Sequence, residues 1–192
     1  MNLKEKMRRG DFCVGPFLKA GSPEIVEVSG YAGFDFVLLD MEHGPLAYET
    51  IEHLVLAAER VDIAPVVRVE AITESAVMRP LDKGAAGILV PHVDSGEMAR
   101  NVVRFSRFGP AGERGMDMYS RAAQYGHLPK KEGFSEHKKL VELGRGIGER
   151  RCTGVQHALI TPPRRQKNAD VVFSNRNSGK ILLALDHLHS TD

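Results

Sequence analysis

The strongest constraint on this chain is a rhythm repeated four times between Phe12 and Phe105: a short apolar run, a breaker, then an amphipathic helix. Runs this short suit strands rather than core helices, and the segments that follow them carry apolar residues at helical spacing. Phe12 to Leu18 is the first apolar run, and Ser22-Pro23-Glu24 then supplies an N-cap, a proline at the first helical position and an acid in the first turn. Ile25, Val26, Val28 and Ala32 give that helix its apolar side, and Gly33 is placed to end it. Val37-Leu38-Leu39 is the second strand, followed by a helix from Ala47 to Arg60 with Ile51, Leu54, Val55 and Ala58 inward. Pro65 to Val69 is the third, followed by a helix that Thr73 or Ser75 can cap and that reaches about Leu81. Gly87-Ile88-Leu89-Val90 is the fourth, and Asp94-Ser95-Gly96-Glu97 has capping-box spacing before a helix through Phe105. Parallel neighbours need a crossover and helices supply it, so the fold class is α/β with a parallel sheet.

The regular spacing, and the lack of a Gly-x-Gly-x-x-Gly turn after the first strand, favour a (β/α)8 TIM-barrel type over a doubly wound sheet and disfavour a nucleotide-binding module. A full barrel takes about 250 residues. With 192 residues, the expectation is an incomplete or truncated barrel. From about Pro129 the rhythm is lost, and only Ala169 to Phe173 and Ile181 to Leu185 look like core segments. Residues 1–128 therefore read as the N-terminal part of a barrel, and 129–192 as a divergent C-terminal segment.

Charge narrows the partners. Lys+Arg 26 against Asp+Glu 25 gives a net charge of +1, which offers neither a nucleic-acid surface nor a polybasic membrane anchor. Small molecules are the natural ligands. The charged start Met1-Asn2-Leu3-Lys4-Glu5-Lys6 is unlike a signal peptide, no run is long enough to span a bilayer, and Cys13 and Cys152 read as unpaired thiols. A cytoplasmic protein is expected.

The chemistry-bearing residues stand where strands end. Val37-Leu38-Leu39 runs into Asp40, Glu42 and His43 before Gly44-Pro45 breaks the chain, at the end of a buried strand where α/β proteins place active groups. Arg68 interrupts the third strand near its carboxyl end, so His43 and Arg68 would be neighbours around a barrel mouth. A histidine suits proton abstraction near neutral pH, and a guanidinium can hold a carboxylate and stabilise an enolate. That combination suits a 2-oxo acid. A structural ion pair for Arg68 and solvated loop residues after a core strand are the competing readings.

Phe17 to Pro23, Ala32 to Phe36, Asp40-Met41-Glu42-His43-Gly44-Pro45, Val66 to Val69, Leu81 to Ala85, Val90 to Val93, Gly109 to Gly115 and Ser120-Arg121-Ala122 together resemble the HpcH/HpaI aldolases, in family order from about Gly15 to Gly126. The resemblance implies a (β/α)8 barrel, usually hexameric, that reversibly cleaves 4-hydroxy-2-oxo acids to pyruvate, or a related 2-oxo acid, and an aldehyde. It implies a divalent cation such as Mg²⁺ or Mn²⁺ and no Schiff base. Carried over by position, His43 matches the general base, Arg68 the arginine holding the oxo acid, and Asp82 the acid that raises the basicity of the histidine. Asp40 and Glu42 match pocket-shaping positions. Asp82 precedes the fourth strand, at the opposite end of the barrel from His43, so it is expected to act on His43 of a neighbouring subunit; a surface ion pair is the alternative.

The metal ligands do not carry over. The family places a glutamate in a Val-Gln-x-Glu-like context, whereas Val155-Gln156 is followed here by His157-Ala158. Asp170-Val171-Val172-Phe173 is similar to the strand before the second ligand, but Ser174-Asn175-Arg176-Asn177-Ser178 replaces its loop. His157 and Asp170 are the substitutes on offer, with no spacing that specifies a site. The expected function is therefore a metal-dependent aldehyde-lyase. The alternative is a catalytically silent, truncated or frame-altered homologue.

Overall fold

The computed structural model of the chain describes residues 3–9, 11–127, 140–144, 157–161, 170–174 and 181–184. In chain order the elements are α1 (Leu3–Arg8), β1 (Phe17–Leu18), α2 (Pro23–Tyr31), β2 (Phe36–Asp40), α3 (Tyr48–Arg60), β3 (Ala64–Arg68), α4 (Glu74–Asp82), β4 (Gly87–Val90) and α5 (Gly96–Ser106). A 3-10 turn at Arg121–Gly126 follows, then β5 (Leu140–Gly144), β6 (His157–Thr161), β7 (Asp170–Ser174) and β8 (Ile181–Ala184). The strands form one sheet in the order β1-β2-β3-β4-β5-β6-β7-β8. β1 to β5 pair parallel, which establishes the parallel-sheet α/β fold. β5 to β8 then turn antiparallel. The connections 145–156, 162–169 and 175–180 are at or below the roughly dozen residues that a parallel crossover takes. Among the described residues β1 does not pair with β8, so the sheet is open, as an incomplete barrel requires.

Local signals set most of the boundaries. Ser22 caps α2 by accepting from the Ile25 N–H, with Pro23 in the first turn, and Gly33 takes a φ of 84° to turn the chain into β2. Thr73, not Ser75, caps α4, and Ser95 caps α5 through the Met98 N–H. With the cap at Ser95 the third helical position is Met98, so Glu97 cannot return the bond and the expected capping box is not made. The first strand is shorter than Phe12 to Leu18. Val14 is tied to Asp35 by two hydrogen bonds instead, and pairing with β2 starts only after Pro16.

Strand alternation sorts the core into two faces. Val37, Leu39 and Val67 face outward and pack with Val26, Ile51, Leu54, Val55 and Ala58 of α2 and α3. Val69, Ile88 and Val90 do the same with Val77, Leu81 and Val102. The residues between them, Leu38, Val66 and Leu89, face inward and are covered by Leu3 and Met7 of α1, a helix the apolar pattern does not announce. Lys6 of α1 pairs with Asp35, just before β2, so α1 closes the amino end of the inner face. The carboxyl end is left to polar residues. Among the described residues no helix is long and apolar enough to cross a membrane.

Candidate active site

Asp40 and Arg68 are the last residues of β2 and β3, and the parallel register sets them opposite each other. Both continue the inward series, Asp40 after Leu38 and Arg68 after Val66, so they meet on the inner face at the carboxyl end. Asp40 Oδ1 accepts from Arg68 Nε at 2.9 Å and Oδ2 from Nη2 at 2.6 Å, a bidentate pair. Oδ1 also accepts the backbone N–H groups of Glu42 and His43, each at 3.1 Å. One carboxylate thus fixes the arginine and folds the corner that carries the histidine. Gly44 completes that corner, because a Cβ there would overlap the Asp40 carbonyl oxygen. Burial pushes the Asp40 carboxyl up, but Arg68 and the two N–H groups outweigh it and hold it below the ordinary range. The Arg68 guanidinium is pushed up, chiefly by its hydrogen bonds to Asp40.

Arg68 stacks over the Phe17 ring, 5.2 Å from its centroid, and its Nη1 lies 3.2 Å from Glu42 Oε2. With Nε and one N–H of Nη2 committed to Asp40, the remaining donors are the second N–H of Nη2 and those of Nη1 beside Glu42. The sequence left open whether Arg68 is a ligand group or a structural ion pair, and the geometry shows it paired with Asp40 and beside Glu42.

Glu42 is the second hub. Its side chain is 10% exposed, and Oε1 lies 2.9 Å from His92 Nε2 and 3.5 Å from His43 Nε2. Oε2 is buried and, despite the nearby guanidinium, accepts no hydrogen bond among the described residues. His92, two residues beyond β4, is the functional candidate that sequence reasoning missed. The available signal was an ionisable residue directly after a strand end, the same signal that singles out His43 and Arg68.

Asp82 is not brought to this cluster. It ends α4 and leads into the amino end of β4, and it pairs with Arg114, whose buried guanidinium lies 4.4 Å from the centroid of the Phe108 ring. Within one chain the carboxylate beside His43 is Glu42.

No group of three or more His, Cys, Asp or Glu side chains fit to hold a metal occurs among the described residues. The one orphaned carboxylate oxygen of the site, Glu42 Oε2, faces the Arg68 cation, which is a poor setting for a second cation. The two substitutes do not converge either. In the antiparallel β6–β7 ladder His157 opposes Ser174 and Asp170 opposes Thr161, so their backbones lie at opposite ends, roughly 13 Å apart at about 3.3 Å per residue. Val155-Gln156 and the loop after Ser174 lie outside the described residues, as does Cys152.

The HpcH/HpaI aldolase/citrate lyase family model matches residues 14–174. The chain belongs to that family. The match runs past Gly126, where the recognisable motifs stop, and takes in β5, β6 and β7. The chain is similar to the 2-dehydro-3,6-dideoxy-6-sulfogluconate aldolase of Pseudomonas putida, 36% identical over 120 residues that make up 62% of this chain and 47% of that protein. It is also similar to the 2-keto-3-deoxy-L-rhamnonate aldolase of Escherichia coli (strain K12), 33% identical over 127 residues, 66% of this chain and 48% of that one. Among solved structures, the HpcH/HpaI aldolase from Desulfitobacterium hafniense DCB-2 superposes with a TM-score of 0.70 at 30% identity, covering 76% of this chain and 57% of its own. The chain spans about half the length of the curated relatives it matches. This is an aldolase-type enzyme family acting on small molecules and generally metal-dependent.

Proposed function

We propose that this HpcH/HpaI homologue enolises pyruvate, or a related 2-oxo acid, as one half of the reversible cleavage of a 4-hydroxy-2-oxo acid to that 2-oxo acid and an aldehyde. The observation that carries the reading is the shared anchor. Asp40 holds Arg68 bidentately and pins the backbone of His43, which presents a cation and an imidazole at the ends of adjacent strands. The Arg68 N–H groups not bonded to Asp40 take the oxo-acid carboxylate and the developing enolate oxygen, charge that a fixed guanidinium stabilises without reorganising. His43, 61% exposed on its side chain, removes the proton from C3. The divalent cation used by the family would act as Lewis acid to the enolate oxygen, but the described residues do not form its site, and no step here passes through it.

Asp82 fits a role toward His43 only across a subunit boundary, since in its own chain it lies at the other end of the strands. That role comes with homo-oligomerisation, hexameric by family resemblance. Residues 1–128 act in this reading as the barrel part that carries the site, and 129–192 as the divergent remainder.

The test is solvent-deuterium exchange into the methyl group of pyruvate, read by mass spectrometry, with Mg²⁺ or Mn²⁺ and again with chelator. Exchange that falls at least about 100-fold in His43→Ala is expected for a lost general base. A folded chain that gives no exchange under any of these conditions refutes the enolisation and leaves the silent homologue in its place.

A further inference from the structure

The site holds two imidazoles and one carboxylate between them, and the better-oriented imidazole is not His43. His92 Nε2 makes a 2.9 Å contact with Glu42 Oε1, against 3.5 Å for His43 Nε2. A carboxylate can only accept, so the proton of this contact lies on His92 Nε2, and the neutral tautomer that the contact selects carries its lone pair on Nδ1. That ring is 65% exposed on its side chain and stands at the mouth of the site, while its carboxylate is nearly buried. A nearly buried carboxylate, an oriented imidazole and a second ring nitrogen are the arrangement of an acid–base dyad. The backbone points the same way. His92 has a φ of 56°, a left-handed conformation uncommon for a residue with a side chain, held directly after Pro91 at the end of β4.

Carbon–carbon cleavage needs more proton handling than enolisation does. Exchange of a pyruvate methyl proton moves one proton on and off C3, for which one base suffices. Cleavage must also remove the proton of the C4 hydroxyl, on the aldehyde side of the bond. We propose that His92, oriented by Glu42, is the catalytic base for the C4 hydroxyl, dividing the proton transfers of the site with His43. The inference rests on the enolisation reading above and adds to it the group that opens the bond.

The step balances. His92 Nδ1 takes the hydroxyl proton, the O–H electron pair becomes the C4=O bond of the leaving aldehyde, and the C3–C4 pair becomes the C2=C3 bond of the enolate. The C2 carbonyl pair moves onto its oxygen, against the Arg68 guanidinium. Protonated His43 then gives its proton to C3 as the C2=O bond re-forms, releasing the 2-oxo acid. His92 returns its proton to water and His43 takes one up, each through an exposed ring face.

The experiment compares two reactions of the full chain in the presence of Mn²⁺: deuterium exchange into pyruvate, and cleavage of 4-hydroxy-2-oxopentanoate as the probe. His92→Gly suits a φ of 56° and leaves room for added imidazole, and His92→Asn tolerates the same backbone while keeping a polar group beside Glu42. The expected result is a loss of cleavage of about 100-fold or more, at least tenfold larger than any loss of exchange, with part of the cleavage of His92→Gly restored by imidazole. Cleavage that survives in both variants, or falls together with exchange, overturns the assignment while exchange by the unsubstituted chain still upholds the enolisation. If the unsubstituted chain shows no exchange, the enolisation reading itself has failed and the role of His92 falls with it.

Discussion

Asp40→Asn tests whether one carboxylate organises the site. Asn is the same size, and its carbonyl oxygen can keep the place of Oδ1, accepting from Arg68 Nε and the N–H groups of Glu42 and His43. Its amide NH₂ then stands where Oδ2 accepted from Arg68 Nη2 at 2.6 Å, setting donor against donor. A hydrogen bond to a charged group contributes about 1.5–3 kcal/mol, and breaking a buried pair costs about 3–5 kcal/mol. Arg68 remains 19% exposed and can draw some compensation from water, so about 2–4 kcal/mol is expected at neutral pH. Urea unfolding at constant slope measures it. The pH dependence fixes the cause. Because the Asp40 pKa is lowered on folding, its stabilisation is present above the unfolded value, near 3.8, and is lost as the pH falls through the folded value. The gap between the original chain and the variant should therefore be full near pH 7 and shrink below about pH 4. Equal stabilities at pH 7, or a gap that does not narrow in acid, would refute the ionic argument and reduce Asp40 to a space-filling residue.

A role for Asp82 across a subunit boundary predicts complementation. Asp82→Asn, which keeps an oxygen for Arg114, mixed with His43→Ala and allowed to exchange subunits should recover exchange activity that neither has alone, and no recovery ends the idea. In the outer core, Leu39 is fully buried between β2 and the helices, so Leu39→Ala should destabilise by about 2–5 kcal/mol in urea unfolding. A cost below 1 kcal/mol would mean that this face is not close-packed.

What the sequence made legible was local. Each strand–helix unit through α5 carries its own apolar spacing and its own breaker, and all but α3, which starts after Ala47, carry a cap: the side chains of Ser22, Thr73 and Ser95 bond three residues ahead. Asp40, His43 and Arg68 were readable for the same reason: a polar residue ending an apolar strand is visible without a fold. β5 and β6 were not found, although Leu140-Val141 and Ala158-Leu159-Ile160 are short apolar runs. Neither is followed by a helical pattern, and the antiparallel pairing that holds β6 depends on partners in β5 and β7 rather than on any signal within it. α1 was missed because Leu3 and Met7 are too few to show a period and become core only against Leu38, Val66 and Leu89.

The same distinction explains why His43 stood out and His92 did not. His43 shares a corner with Glu42, so sequence adjacency announces the pair, whereas Glu42 and His92 lie 50 residues apart and meet only because β2, β3 and β4 are neighbours with their ends level. In a parallel sheet every strand delivers its next residue to the same rim, so chemistry is distributed around the mouth at intervals of one strand–helix unit. A carboxylate long enough to reach two strands along, as Glu42 does past Arg68 to His92, joins groups that no sequence window contains. A strand end therefore shows in the sequence where an ionisable group stands, and only the register of its neighbours shows which other groups stand beside it.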